Sequence, residues 1–143
     1  MSKTMKFLIG LAAALLAASL WHGPAGQGEK LIAKMEAQAR QYVALGKLPG
    51  ISVRLERSPL ARSGVLSGNA DEIQREGLGS QYGLMDYARA VDGMARVRWD
   101  DQPAAWGLPL LAELLLLAAA AYLLGFGVGA RLFGRRRRES FLD

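Results

Sequence analysis

The amino-acid sequence predicts an α+β fold, in which a small α-β-β-α-β domain is flanked by two transmembrane helices. Hydrophobic residues make up 51% of the 143 residues and are concentrated at the two ends, as in membrane segments. Between them, residues 29–45 have helical periodicity and residues 51–57 alternate like a strand. The predicted parts are an N-terminal anchor and linker at 1–27, a domain at 28–103, a second transmembrane helix at 104–131 and a basic tail at 132–143.

The positive charge of the chain lies mostly outside the central domain. The net charge is +5, but between Gly28 and Pro103 eleven Lys or Arg residues face ten Asp or Glu residues. Cations beside apolar runs mark the cytoplasmic side of a membrane, so this distribution argues against nucleic-acid binding. The flanking cations are Lys3, Lys6, Arg131, Arg135, Arg136, Arg137 and Arg138.

The first apolar run extends from Phe7 to Trp21 without a charge, after two lysines. A cleaved secretory signal peptide has the same pattern. However, the small residues of the candidate cleavage site, Gly23 and Ala25, enclose a proline, and Trp21 suits a membrane-interface anchor. We therefore predict an uncleaved transmembrane anchor, with a removed signal peptide as the alternative.

The second apolar run, Leu108 to Ala130, has 23 residues and a single charge, Glu113. This is long enough to span a bilayer as a helix. The arginines after this run and the lysines before the first run predict that both termini are cytoplasmic. The chain is then a protein of the bacterial inner membrane, with its central domain in the periplasm.

The central domain begins with an amphipathic helix, Glu29 to Leu45, and two strands, Ile51 to Arg57 and Leu60 to Ser67. In the first strand the pattern directs Leu55 inward. The apolar face predicted for the helix contains Leu31, Ile32, Met35, Ala39, Tyr42 and Val43, whereas Glu29, Lys30, Lys34, Glu36 and Arg40 are predicted to point elsewhere.

A second helical region follows the two strands. Asn69 and Glu72 match a capping box, which predicts the start of a helix. The glycine-rich stretch from Gly77 to Gly83 should break this helix, which then resumes toward Val91. Met94 to Trp99 is the last predicted strand, since its arginines alternate with apolar residues.

This α-β-β-α-β order, with three short motifs, resembles the BON domain family (bacterial osmotic-shock and nodulation). The motifs are Val53-Arg-Leu55, Val65-Leu-Ser-Gly68 and Val91-Asp-Gly93-Met-Ala-Arg-Val97, within residues 29–100. The chain departs from the family in lacking a hairpin glycine and in its longer second helical region. The resemblance implies a non-catalytic domain that binds membranes or partner proteins in the periplasm.

No residue pattern indicates an enzyme, a cofactor site or a metal site. The chain has no cysteine, and its single histidine, His22, lies beside the first apolar run, which predicts an interfacial residue without a special role. No serine has the spacing to a base that nucleophilic catalysis needs. The closely spaced glycines, Gly77-x-Gly79 and Gly125-x-Gly127-x-Gly129, do not match a phosphate-binding loop. No small-molecule substrate is indicated.

Small residues recur at four-residue spacing in both apolar runs. Such ridges allow membrane helices to approach closely, so we predict packing against each other or against another subunit. The predicted helix-packing residues are Gly10, Ala14, Ala18, Ala121, Gly125 and Gly129. Glu113 leaves two interpretations open: a paired or functional carboxylate at membrane depth, or one that reaches water at the interface.

These observations predict a non-enzymatic accessory, scaffold or assembly subunit of a larger inner-membrane complex. The alternative is a periplasmic BON-type module that binds phospholipid or the cell envelope. The expected partners are the lipid membrane and other membrane-protein subunits.

Overall fold

The computed structural model describes residues 2–79, 81–104 and 107–134. The protein has a mixed α+β fold with small sheets, and a long apolar helix lies at each end of the described chain. The elements in chain order are α1 (Lys3–His22), α2 (Gln27–Ala44), β1 (Ser52–Arg57), β2 (Leu60–Ser67), α3 (Glu72–Glu76), β3 (Gly77–Leu78), β4 (Gln81–Tyr82), α4 (Leu84–Arg89), β5 (Arg96–Trp99) and α5 (Leu110–Gly134).

The main sheet has three strands in the order β1-β2-β5. Strands β1 and β2 form an antiparallel hairpin through Ser58-Pro59, whereas β5 runs parallel to β2. In the register, Leu55 lies opposite Gly64, and Gly64 lies opposite Val97. Because β2 lies between β1 and β5, β1 is an outer strand of the sheet.

The core of the domain lies between this sheet and helices α2 and α4. Val53 and Leu55 of β1 are buried and Arg54 between them is exposed, so the predicted alternation of β1 is confirmed. In α2 the apolar stripe is narrower than predicted, because Leu31 and Tyr42 are 43% and 40% exposed.

The cap of α3 corrects the sequence analysis. The N-cap is Asp71, not Asn69: its carboxylate accepts from Gln74 N–H at 2.7 Å, and Gln74 Oε1 accepts from Asp71 N–H at 3.0 Å. The sequence contains two overlapping capping patterns, and only one can start the helix. Ala70 is buried in the core just before the helix, so the chain turns into α3 after it.

The glycine-rich stretch breaks the helix, as predicted, but it also forms a small antiparallel hairpin of β3 and β4. Gly77 has φ +82°, and a Cβ there would lie 2.2 Å from the carbonyl oxygen of Gln81. A side chain at Gly83 would similarly lie 2.4 Å from Gly77 N. Glycine thus permits the tight pairing that follows α3.

Helices α1 and α5 are long and apolar enough to cross a membrane, by length and composition. They pack against each other, and the Tyr122 hydroxyl donates to the Phe7 carbonyl at 2.9 Å. The Phe7 ring also lies 5.5 Å from the Tyr122 ring and 4.9 Å from the Phe126 ring, measured between centroids. Aromatic contacts thus join the start of α1 to the middle of α5.

The predicted linker between α1 and the domain is a short turn. Ala25 N–H donates to Leu20 O at 3.0 Å, and Gly26 N–H donates to Gly23 O at 2.7 Å. Helix α2 then begins at Gln27, two residues before the predicted start. The first apolar helix therefore connects to the domain through a few hydrogen-bonded residues.

Candidate functional site

The region where α5 meets the domain is the first candidate site, and we call it the junction. Leu110, in the first turn of α5, is only 8% exposed and belongs to the domain core. One turn later, Glu113 Oε2 accepts from Arg62 Nε at 2.8 Å. Arg62 also donates from Nη1 to the Gly93 carbonyl at 2.9 Å, so one guanidinium binds both α5 and the loop before β5.

The junction bears on the two interpretations of Glu113. The side chain of Glu113 is 21% exposed and that of Arg62 is 34% exposed, so the ion pair is only partly accessible to water. A charge-assisted hydrogen bond contributes about 1.5–3 kcal/mol when shielded, and less where a third of one partner is exposed. The carboxylate is paired, and its partner belongs to the domain rather than to another apolar helix.

Helix α1 reaches the domain near the same end. The ring of His22 packs on the first turn of α2, because a Cβ on buried Gly28 would lie 2.5 Å from the ring's Cε1. Next to it, Glu29 of α2 accepts from Arg57 of β1 at 2.8 Å. His22 thus has a packing contact that its sequence neighbours did not predict.

A buried carboxylate, Glu36, is the main residue that the sequence analysis missed. It was predicted to point away from the core, yet it is only 7% exposed. Its Oε2 accepts from Leu55 N–H at 3.2 Å and from Arg57 Nη2 at 3.3 Å, and its Oε1 pairs with Arg40. The spacing of Glu36 from its apolar neighbours indicates this burial, since Glu36 lies four residues after Ile32 and three before Ala39, on the apolar stripe of α2.

The environment of Glu36 favours its charged form. Burial acts to raise the pKa of this carboxyl, but the hydrogen bond from Leu55 N–H and the charges of Arg40 and Arg57 act against it. The net result is a pKa below the ordinary value. Glu36 therefore stays ionised and joins α2 to the outer strand β1.

The two ridges of small residues have different surroundings. A Cβ on Gly10 would lie 2.3 Å from the Tyr122 hydroxyl, so Gly10 allows close contact with α5. Ala14 and Ala18 are half-buried, like Gly10. By contrast, apart from the nearby backbone of α5 itself, no described atom lies within 4 Å of a Cβ built on Gly125 or Gly129.

Ala121, the third residue of the α5 ridge, is exposed. Of the residues predicted to set the membrane orientation, Lys6 and Arg131 are exposed at the ends of the two apolar helices. Lys3 begins α1. Arg135, Arg136, Arg137 and Arg138 lie outside the described residues.

The second candidate site is a groove of about 670 Å³ between the C-terminal half of α2 and the start of β1. We call it the α2–β1 groove. Apolar side chains of Val43, Ile51 and Val53 contribute to its wall. Of its described lining residues, three are cations, Arg40, Lys47 and Arg54, and none is a carboxylate. Such a groove can hold an apolar group with negative charge around it.

Metal binding has no candidate in the parts of the chain that the structure describes, where no three His, Cys, Asp or Glu side chains come together. The order of the main elements in the domain is compatible with α-β-β-α-β. The resemblance to the BON family itself stays a prediction. No family model, no curated protein and no solved structure matches the chain.

Proposed function

We propose that this protein is a non-enzymatic accessory or scaffold subunit of a larger complex in the bacterial inner membrane. The observation that carries the proposal is the junction, where Leu110 and the Arg62–Glu113 pair join α5 directly to the domain core. A domain attached in this way keeps one position relative to the helix that carries it. Such a fixed position suits a subunit that holds its partner subunits in a fixed arrangement.

The surroundings of α5 support a partner in the membrane. Its contacts with α1 run through Tyr122 and Phe126, while a Cβ added at Gly125 or Gly129 would meet no described atom within 4 Å beyond the nearby backbone of α5 itself. Small residues let another helix approach closely and gain van der Waals contact. We propose that a helix of another subunit packs on Gly125 and Gly129.

The proposed location rests on charge. With the exposed Lys6 and Arg131 on the cytoplasmic side, both termini are cytoplasmic and the domain is periplasmic. Alkaline phosphatase fused after Asp101 should then be active, and the same enzyme fused to the C-terminus should be inactive. The reverse pattern would contradict the proposed orientation.

The test of the accessory role is co-purification of the tagged protein in mild detergent. The wild type should bring down a stoichiometric membrane complex. The double variant Gly125→Leu with Gly129→Leu should still insert, since leucine is apolar and favours helix more than glycine does. We expect it to lose its partners, because the added side chains hold the neighbouring helix away.

Two controls separate this effect from damage to the protein itself. Leu116→Ile with Leu124→Ile changes exposed apolar positions of α5 and should leave the complex intact. Gly10→Leu should disrupt the contact between α1 and Tyr122 of α5. Gly125→Leu and Gly129→Leu leave this contact between the two helices intact. Elution of the wild type alone would contradict the accessory role and favour the alternative, binding of phospholipid or cell envelope.

A further inference from the structure

Exposed apolar side chains cluster on the domain between the end of α2 and the hairpin of β3 and β4. Leu78 and Tyr82 of the hairpin are 63% and 75% exposed, and Ile73 of α3 is 55% exposed. With Leu48, just after α2, they line one recess of about 230 Å³. We call these four side chains the apolar patch. Large apolar side chains that cluster on a surface mark a contact with another molecule.

Both sides of the patch are held against α4. The ring of Tyr82 lies 6.2 Å from the ring of Tyr87 in α4, measured between centroids. On the other side, a Cβ on Gly46 would lie 2.8 Å from Leu84 Cδ2, so the end of α2 packs closely on the same helix. The patch therefore has a defined shape that a partner can match.

The patch has a cation on one side and a carboxylate on the other. Lys47 lies between Gly46 and Leu48, which both line the apolar recess. Glu76 lines a second recess, which shares Tyr82 of the hairpin with the first one. Across this surface the order is thus cation, apolar patch, carboxylate.

The described fold leaves both of these charges unused. Lys47 and Glu76 are exposed, and neither forms an ion pair with a described residue. Lys47 is also the single non-glycine residue with a positive φ, +54°, in the described part of the chain. Glycine fits that conformation better after a helix end. A strained cation that binds no element of its own fold indicates a role in an external contact.

We propose that the apolar patch is the interface with a second copy of this chain, related by a two-fold axis through the patch. Such an axis exchanges the two sides of the patch, so Lys47 of each copy meets Glu76 of the other. Leu78 and Tyr82 of both copies are buried between these ion pairs. This self-association goes beyond the proposed accessory role and does not depend on it.

A second copy fits the charges better than a lipid surface does. Anionic lipid would attract Lys47 but would be repelled by Glu76 and by Asp86, which lines the same recess. Of these two carboxylates, Asp86 lies 3.7 Å from Arg89, whereas Glu76 has no cation beside it among the described ion pairs. A second copy brings a cation to Glu76 and a carboxylate to Lys47 through one symmetric contact.

The experiment co-expresses two full-length copies with different tags, so that both enter the same membrane. After solubilisation in mild detergent, one tag is captured and the amount of the other is measured. Both copies carry Gly125→Leu and Gly129→Leu, which remove the proposed membrane partners, so capture reports direct contact between copies. We expect capture of the second copy in this background.

Charge exchange tests the placement of the two copies. Lys47→Glu in both copies turns two attractive contacts into two repulsive ones and should lower capture at least tenfold. Glu76→Lys in both copies should have the same effect. When one copy carries Lys47→Glu and the other Glu76→Lys, both contacts again join opposite charges, and capture should return to within twofold of the starting level.

Two further variants separate the interface from general effects of charge and folding. Lys34→Glu makes the same change of net charge at an exposed position of α2 outside the patch and should leave capture unchanged. Leu78→Ser with Tyr82→Ser removes exposed apolar side chains and should lower capture at least tenfold. The melting temperature of each purified variant shows whether it is folded.

Three outcomes would overturn the proposal: no capture of a second copy, undiminished capture between two copies with Lys47→Glu, or no recovery in the mixed pair. The outcome is separate from that of the accessory role. Capture between copies, with no other subunit bound to the wild type, would support the dimer and contradict the accessory role. A stoichiometric complex that contains one copy of this chain would do the opposite.

Discussion

The two ends of the domain differ in how their charges are used. At the end where α1 and α5 attach, Arg57 and Arg62 each bind a carboxylate of another element. At the other end, Lys47 and Arg54 form no ion pair with a described carboxylate. Paired arginines hold elements together, whereas unpaired cations remain available to a ligand. The first end fixes the domain to the two apolar helices, whereas the cations Lys47 and Arg54 of the second end do not link elements of the described fold.

The largest effect that we expect is loss of the core on which both ends depend. Leu55→Asp places a carboxylate at a position that is 3% exposed. An unpaired buried charge costs several kcal/mol, against a total stability of about 5 kcal/mol for a small domain. The variant should be cleaved rapidly by trypsin, and its thermal unfolding transition should disappear.

The control for Leu55→Asp is Ser52→Asp, an exposed residue of the same strand. Glu56 would be a poorer control, because it pairs with Arg98 at 3.1 Å. If Ser52→Asp and Leu55→Asp were equally sensitive to trypsin, the inward direction of Leu55 would be wrong.

A smaller effect is expected at Glu36, which lies between the two ends and binds arginines from α2 and β1. Glu36→Gln keeps an oxygen for Leu55 N–H but loses the charge, so we expect a loss of about 1–3 kcal/mol near neutral pH. Chemical denaturation followed by circular dichroism measures it.

The same carboxylate gives a dependence on pH. Since the folded-state pKa of Glu36 lies below its ordinary value of 4.5, its contribution is complete above about that pH and is lost on acidification toward the lower folded pKa. The wild type should therefore lose more stability than Glu36→Gln as the pH falls below about 4.5. Parallel acid profiles of the two proteins would show that Glu36 does not act through its charge.

The junction itself gives the next effect in size. Arg62→Gln removes the charge that binds Glu113 and weakens the contact with the Gly93 carbonyl, at an expected cost of about 1–2 kcal/mol. The domain core should remain folded while its link to α5 loosens. A spin label on the domain and one on α5 should show a broader distance distribution in Arg62→Gln than in the wild type. Unchanged distances would mean that the Arg62–Glu113 pair does not fix the domain relative to α5.

The sequence predicts the local elements better than the contacts between them. The boundaries of β2 and the inward direction of Leu55 follow from short-range periodicity, and both agree with the structure. The pairing of Arg62 with Glu113 joins residues 51 positions apart, so no local pattern reveals it. The hairpin of β3 and β4 pairs Gly77 with Tyr82 and Leu78 with Gln81, in a stretch whose glycines predict only a break in the helix.

Glu36 shows a different limit of sequence analysis. A glutamate among other charged residues is normally placed on the solvated side of a helix, although its spacing from Ile32 and Ala39 put it on the apolar stripe. Donors from β1 stabilise the buried carboxylate of Glu36. The first of these donors along the chain, Leu55 N–H, lies 19 residues after Glu36. The groove also depends on such distant packing, since it is formed by α2 and β1 together.

The smallest expected effect tests the comparison most directly. Lys47→Gln with Arg54→Gln removes two exposed cations that form no ion pair with a described carboxylate, so the free energy of unfolding should change by no more than about 0.5 kcal/mol. Arg57→Gln, in the same fold, loses its bonds to both Glu29 and Glu36. That variant should cost more, about 1–2 kcal/mol, because one of the two carboxylates is buried. Urea denaturation of the three proteins at one pH and salt concentration gives the comparison. If the double variant were as destabilised as Arg57→Gln, the cations of the groove would serve the fold rather than a ligand, and the two ends of the domain would not differ in function.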